Sequence, residues 1–235
     1  MAAGWRGEGS QHKGARPYQE DSWALRALGD GSLLAVVADG MGGHAGGAVA
    51  SKVAVEAFLN AVEQGGSLLD GLEEANAAVR RAAAGKPGLA GMGTTLVGVL
   101  IRGDEVRWVS VGDSPFFVVS AGRLQRLNAD HSMAPQIAAL VARGMLSVED
   151  AAHHPGRHTL REAVMGQPLN LIDRGSHRLG PDAKLLLCSD GVQSLSEAEI
   201  AAAAAKSSAG LIDAVLAVAK EHQDNVTVIK LERTR

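Results

Sequence analysis

Three short, mostly apolar runs in this chain each end on an aspartate beside a glycine. They are Leu33–Ala38 before Asp39-Gly40, Val106–Val111 before Gly112-Asp113, and Leu185–Cys188 before Ser189-Asp190-Gly191. Apolar runs this short, bounded by turn residues, read as buried strands. A fourth aspartate, Asp224, stands with Asn225 at the start of the strand Val226–Leu231. In an antiparallel sheet the end of one strand and the start of its neighbour share an edge, so all four carboxylates can meet there. A single Asp-Gly pair is a turn. Asp30-Gly31 and Asp70-Gly71, in what read as a hairpin and a loop, suggest nothing more. Repetition after buried strands is what points further. Carboxylates gathered at one edge repel one another and stay ionised only beside a cation. Oxygen-only ligation selects a hard metal, Mg²⁺ or Mn²⁺ rather than zinc.

The segments around these runs set the fold class. Ser22–Leu28 and Leu33–Ala38 flank Gly29-Asp30-Gly31-Ser32 and read as a hairpin. Gly46–Val62 places Val49, Ala50, Val53, Ala54, Ala57, Phe58, Ala61 and Val62 on one helical face, and Leu68–Ala84 is a second amphipathic helix. Thr94–Ile101, Glu105–Val111, Phe116–Ser120 and Arg123–Leu127, separated by short turns, read as an antiparallel meander. Ala134–Met165 is helix-prone but broken by Pro135, Gly144, Pro155 and Gly156, with Ser147 and Asp150 spaced as a capping pair. It reads as a helical flap, inserted at about residues 130–166. A Ser196-x-x-Glu199 box opens a helix to Ala205, and Leu211–Glu221 is another. Strands joined by hairpins, with helices in blocks, make a layered α+β fold rather than a βαβ repeat.

Composition narrows the class. Of 235 residues, 46% are hydrophobic, enough for a substantial core, and no seam marks a second domain, so 1–235 reads as one domain. The net charge is −3 with both signs interspersed, which argues against nucleic acid and a membrane surface. No run is long enough to span a bilayer, the N-terminus has no apolar signal core, and Cys188 is the single cysteine. The expectation is a cytoplasmic protein, monomeric by default.

Two further segments carry chemistry. After Asp39 the chain runs Gly40-Met41-Gly42-Gly43-His44-Ala45-Gly46-Gly47, a loop slight enough to approach an ion or a phosphate, with the Gly40 carbonyl available to a metal. Its Gly-x-Gly-x-x-Ala spacing fits a dinucleotide loop loosely. The following element is a second helix, however, not the strand ending in an acid that a ribose needs. Near the N-terminus, Arg16-Pro17-Tyr18-Gln19-Glu20-Asp21 brings together a guanidinium, which grips two phosphate oxygens, and two carboxylates able to hold metal-bound waters.

These segments together resemble the metal-dependent Ser/Thr protein phosphatases of the 2C type, in their bacterial form. Arg16-x-x-x-Glu20-Asp21, Asp39-Gly40-Met41-Gly42-Gly43, Gly91-Met92-Gly93-Thr94-Thr95, Gly112-Asp113-Ser114, Ser189-Asp190-Gly191 and Asp224-Asn225-Val226-Thr227-Val228 resemble six motifs of that family, in order. The resemblance implies a four-layer α-β-β-α sandwich of two antiparallel sheets, with two Mn²⁺ or Mg²⁺ ions in a cleft at one edge. It implies that Asp39 bridges both ions, that Gly40 ligates through its carbonyl, and that Asp190 and Asp224 complete one shell. Glu20 and Asp21 would act at the other ion through water, and Asp113 with Asp190 would match a third, weaker metal site. Catalysis would fall to a water activated between the ions, with Arg16, Asp39 and Asp21 as catalytic residues. The substrates implied are phosphorylated Ser/Thr proteins, with a Ser/Thr kinase as opposing partner.

The match has departures. Pro115 follows Gly-Asp-Ser where the family often has Arg, and Met41 stands where eukaryotic members place a histidine suspected as general acid. His44 and His131 read as supporting or surface residues, which leaves the proton donor unassigned. Two alternatives stay open, a pseudophosphatase that binds phosphoproteins and a two-metal hydrolase of other phosphoesters. A cysteine-dependent phosphatase needs Arg six positions after its cysteine, and Ser194 is there.

Overall fold

The computed structural model describes residues 4–42 and 45–234. Gly43 and His44 of the glycine loop lie outside the described residues. In chain order the elements are β1 (Trp5–His12), β2 (Ser22–Ala27), β3 (Leu33–Ala38), β4 (Gly40–Met41), α1 (Ala45–Glu63), α2 (Leu68–Ala83), β5 (Gly93–Thr94), β6 (Leu96–Arg102), β7 (Glu105–Val111), β8 (Phe116–Ser120) and β9 (Arg123–Arg126). There follow α3 (Ala134–Ala142), α4 (Val148–Ala152), β10 (Asp173–Arg178), β11 (Lys184–Cys188), α5 (Glu197–Ala203), α6 (Ser208–Ala217) and β12 (Val226–Arg233). Short 3₁₀ turns lie at Pro87–Leu89 and Asp190–Ser194.

The strands form two five-stranded antiparallel sheets, ordered β1-β12-β11-β8-β9 and β10-β7-β6-β3-β2, and β4 pairs with β5. The expected α-β-β-α sandwich is present, and β3 shows why its run is apolar throughout. Leu33, Ala35 and Val37 face the opposite sheet, packing beside Val97 and Val99 of the adjacent β6 and against Phe116, Leu185, Leu187 and Ile229 across the sandwich. Leu34, Val36 and Ala38 face the other way, against Phe58, Leu72 and Val79 of α1 and α2. A strand covered on both faces loses the polar alternation of a half-exposed one. The outer face of the other sheet, that of β8, β11 and β12, is covered likewise by Ile200, Leu211, Ile212 and Val215 of α5 and α6.

Several expectations need correction. The meander is broken: β6–β7 and β8–β9 are hairpins, but β7 and β8 belong to different sheets. The chain crosses over at Gly112–Pro115, and Gly112 takes φ +99°, a left-handed value that glycine adopts without strain. Asp70-Gly71 lies not in a loop but in the first turn of α2, where Asp70 forms a capping box with Ser67. The last helix starts three residues earlier than expected, on the N-cap Ser207, and ends at Ala217. Strands β1 and β10 were not expected at all. Both are edge strands that present glycine to a tryptophan: a Cβ on Gly9 would lie 2.4 Å from the ring of Trp23 on β2 of the facing sheet, and one on Gly175 2.3 Å from that of Trp108 on the adjacent β7. The apolar surface over these strands comes from their partners, so their own sequences carry no alternation.

The flap expectation holds in outline. Ser147 caps α4 by accepting the Asp150 amide, and Ile137 of α3 is buried. Beyond α4 the chain returns as an extended segment, bridged Ser132 to Leu160 and Thr94 to Val164.

Candidate metal centre

All four aspartates sit at one end of the sandwich, but not along one sheet. Asp39 and Asp113 follow β3 and β7 of one sheet, while Asp190 follows β11 and Asp224 precedes β12 of the other. The edge expected from a single sheet is in fact the mouth between two. Asp21, just before β2, joins them.

Backbone and hydroxyl groups fix each position. The Gly-Thr-Thr segment holds Asp39: its amide donates to Thr95 Oγ1 at 3.0 Å, and its carbonyl accepts from Thr94 Oγ1 and the Thr95 amide, both at 2.9 Å. Thr95 Oγ1 also lies 2.6 Å from Ser114 Oγ, which couples Asp39 to the Gly-Asp-Ser crossover. Asp21 is buried, and its Oδ2 accepts from Ser189 Oγ at 2.8 Å and Thr227 Oγ1 at 2.7 Å. Asn225 holds the N-terminal loop. Its Oδ1 accepts from the Glu20 amide at 2.7 Å, and its Nδ2 donates to the carbonyls of Lys13 at 2.8 Å and Tyr18 at 3.0 Å. Arg16 Nη2 reaches Asp224 Oδ2 at 2.6 Å, and the Glu20 carboxylate lies against Gly47 in the first turn of α1. Gly40 pairs with Thr94.

The electrostatics are those of crowded, poorly solvated carboxylates. Desolvation first, then the fields of Asp21, Asp190, Asp113 and Asp224, push Asp39 well above its ordinary pKa. Asp190 is raised by desolvation and by Asp224, and shares a hydrogen bond with Asp39. Asp113 is pushed up to about 7, mainly by burial and Asp190, and Asp21 to about 6, mainly by burial against two hydroxyl bonds that oppose it. Asp21 Oδ1 is buried with no hydrogen-bond partner among the described residues. An orphaned carboxylate oxygen among carboxylates with raised pKa values suits a divalent cation, and the oxygen-only donors suit Mg²⁺ or Mn²⁺. Among the described residues no three His, Cys, Asp or Glu side chains close into a ready-made cage. Ions of this kind keep several waters in their shell and need no such cage of protein side chains.

The linkage has a definite sign. Asp21 and Asp113 have folded pKa values above the ordinary 3.8, so their neutral forms stabilise the fold fully below that value. This contribution is lost as pH rises through about 6 to 7. The chain in chelator should therefore melt at lower temperature as pH rises from about 4 to about 7.5, and Mn²⁺ should restore the loss at the upper end. Melting curves at several pH values check this, and a flat profile in chelator would contradict it.

One residue escaped sequence reasoning. Arg126 of β9, largely enclosed, donates from Nη2 to the Asp113 carbonyl at 2.8 Å and from Nη1 to Asp130 at 3.2 Å. Pro115 removed a guanidinium expected at this crossover, and another strand brings one to it. The expected β8–β9 hairpin carries Arg126 back beside the crossover, where its side chain meets the Asp113 carbonyl. His131 is buried, with Nδ1 accepting from the Gly112 amide at 3.3 Å, and burial pushes its pKa down. His44 lies outside the described residues. Cys188 is buried and its thiol is pushed far up by desolvation, as befits a core residue. A cavity of about 1410 Å³ between Arg6, Lys184 and Arg233 lies at the other end of the sandwich and includes none of these carboxylates.

A family model described as protein phosphatase 2C matches residues 6–226. The chain belongs to that family. Among its protein phosphatase 2C relatives is the serine/threonine phosphatase stp of Listeria welshimeri, 30% identical over 233 residues, covering 93% of this chain and 91% of the relative. The serine/threonine protein phosphatase PstP of Mycobacterium tuberculosis is 34% identical over 212 residues, covering 85% of this chain and 40% of the relative's length. A solved structure of the PstP catalytic domain in complex with two manganese ions superposes with a TM-score of 0.79 at 27% identity, covering 98% of this chain and 99% of that one. The 2C phosphatase family thus accounts for both the sandwich and the order of the six motifs around the cleft.

Proposed function

We propose that this protein hydrolyses phosphoserine and phosphothreonine esters of other proteins at a centre of two Mn²⁺ or Mg²⁺ ions, opposing a Ser/Thr protein kinase, and that it works as a cytoplasmic monomer. The observation that carries the reading is the meeting of Asp21, Asp39, Asp113, Asp190 and Asp224 at one mouth, with Asp21 Oδ1 left without a protein partner. Asp39, central to the cluster and influenced by all the others, would bridge the ions, with Gly40 adding its carbonyl and Asp190 and Asp224 completing one shell. Glu20 and Asp21 would serve the second ion through water, and Asp113 with Asp190 a third, weaker one. When bound, such ions lower the pKa of a water toward neutrality and offset charge on a phosphoryl group.

The protein's own groups do the rest. Arg16 stands half-exposed beside Asp224, and its remaining N–H donors can take phosphoryl oxygens in the cleft. Ser189 and Thr227 hold Asp21 by one oxygen, leaving the other without a hydrogen-bond partner among the described residues and available to an ion or its water. Thr94 and Thr95 lock the Asp39 backbone, so its carboxylate needs little reorganisation on binding. Among the described residues no helix is long and apolar enough to cross a membrane.

The test is phosphate release from a phosphothreonine peptide. Release should require Mn²⁺ or Mg²⁺ and stop in chelator; undiminished release in chelator would overturn the reading. Asp113→Asn should leave two Mn²⁺ bound in calorimetry while weakening a third, and loss of both tight sites would refute the placing of Asp113.

A further inference from the structure

The crossover that carries Asp113 has no cation of its own. It reads Gly112-Asp113-Ser114-Pro115 and runs from β7 of one sheet to β8 of the other. Each of its four carbonyls accepts a hydrogen bond from outside it. Gly112 accepts from the His131 amide at 3.1 Å and Pro115 from the Cys188 amide at 3.0 Å. Ser114 accepts from Asn128 Nδ2 at 2.9 Å, and Asp113 from Arg126 Nη2 at 2.8 Å. The one carbonyl of the four that is held by a charged side chain is that of the aspartate.

Arg126 uses three separate donors. Besides the bond to Asp113, its Nε donates to Asn128 Oδ1 and its Nη1 to Asp130 Oδ2, both at 3.2 Å. Those partners are themselves fixed: Asn128 Oδ1 also accepts the Phe116 amide at 2.8 Å, and Asp130 Oδ1 accepts the Ser132 amide at 2.8 Å. Ser132 in turn is bridged to Leu160 on the returning arm of the flap. The planar fork thus ties the crossover, the start of β8 and the root of the flap together, which the single ammonium of a lysine cannot do. With 24% of its side chain exposed, Arg126 also bears a desolvation penalty. Closing the turn does not require a charge, because the neutral amide of Asn128 closes the adjacent Ser114 carbonyl. What a charge-assisted bond adds is stiffness, at the residue whose carboxylate belongs to the cluster.

Resting on the reading of Asp113 as a ligand of the third, weaker ion, we propose that Arg126 is a positioning residue for that carboxylate. It touches neither ion nor substrate. It fixes the peptide group from which the Asp113 side chain extends, and ties it to the root of the flap. Partners that orient a metal ligand in this way typically carry roughly 10–100-fold in metal affinity or activity.

The experiment titrates Mn²⁺ by calorimetry into the metal-free parent, Arg126→Gln, Arg126→Lys, Asp113→Asn and the double variant Arg126→Gln/Asp113→Asn, and measures phosphate release from a phosphothreonine peptide by each. Arg126→Gln should bind the third ion about 10-fold or more weakly, with the two tighter ions bound as in the parent. Arg126→Lys keeps the charge without the reach, so it should show the same shift while melting close to the parent, and it carries the test if the glutamine variant does not fold. The double variant should match Asp113→Asn in third-ion affinity and in phosphate release, because Arg126 acts through Asp113. A merely structural arginine would add a loss of its own. Parental affinity for the third ion in Arg126→Lys, a further loss in the double variant, or loss of the two tighter ions would each overturn the assignment. A parent with two tight ions and no third would overturn it together with the placing of Asp113. A parent that binds Mn²⁺ but releases no phosphate would sink the phosphatase reading, and the calorimetry would still decide the role of Arg126.

Discussion

Asp39→Asn should abolish phosphate release while making the metal-free protein harder to melt. The two effects share one cause. Asp39 is the carboxylate most influenced by the others, pushed well above its ordinary pKa by desolvation and by four neighbouring aspartates. Its negative charge near neutral pH is therefore a liability to the empty fold and an asset only beside cations. An amide of the same shape removes that repulsion and also the charge that holds the ions. Losing the several kcal/mol that bound ions supply to the transition state corresponds to a fall of about 10³-fold or more. In chelator at pH 7.5 the variant should melt at a higher temperature than the parent, and adding Mn²⁺ should raise the parent's melting point but not the variant's. A variant that melts lower in chelator, or gains as much from Mn²⁺, would show that Asp39 is structural.

Gly191→Ala should damage fold and activity together. Gly191 follows Asp190 in the 3₁₀ turn, and a Cβ there would lie 2.0 Å from the Asn225 carbonyl oxygen and 3.3 Å from Val226 Cα. These are backbone atoms of the segment that carries Asp224, so neither side can yield by turning a side chain. The turn and the start of β12 must move apart, which separates Asp190 from Asp224 and disturbs the Asn225 bonds to Lys13, Tyr18 and Glu20. Overpacking of this kind costs about 1–3 kcal/mol or more, or several degrees of melting temperature in a chain of this size. Activity should fall further than stability, because two carboxylates of the cluster shift at once. Gly88→Ala is the control: a Cβ there meets nothing within 4 Å, and it should leave melting and turnover unchanged. An undamaged Gly191→Ala variant would mean that the close approach of turn and strand is not needed.

The interior elements were legible because their residues carry their own burial. The apolar stretch of β3, the spacing of Ala50, Ala54 and Phe58 in α1, and the Ser-x-x-Glu box of α5 each state their environment locally. Strands β1 and β10 were not, since Trp23 of the facing sheet and Trp108 of the adjacent strand supply the apolar surface and glycine alone marks the receiving side. The site divides in the same way. Aspartates at strand ends announce themselves, and the recurrence of Asp beside Gly brought Asp39, Asp113, Asp190 and Asp224 forward from one sequence. What joins them did not show, because it depends on which strand lies in which sheet. The crossover at Gly112–Pro115 moves the expected edge into the mouth between two sheets, and Arg126, on the expected β8–β9 hairpin, turns its side chain back onto that crossover to reach the Asp113 carbonyl.

The central claim is that these carboxylates, which repel one another alone, are a site for two divalent ions organised by Asp39. Calorimetric titration of the metal-free chain with Mn²⁺ tests it most directly. The parent should bind two ions tightly, and Asp39→Asn should lose both. No tight binding in the parent, or two tight sites surviving in Asp39→Asn, would contradict it.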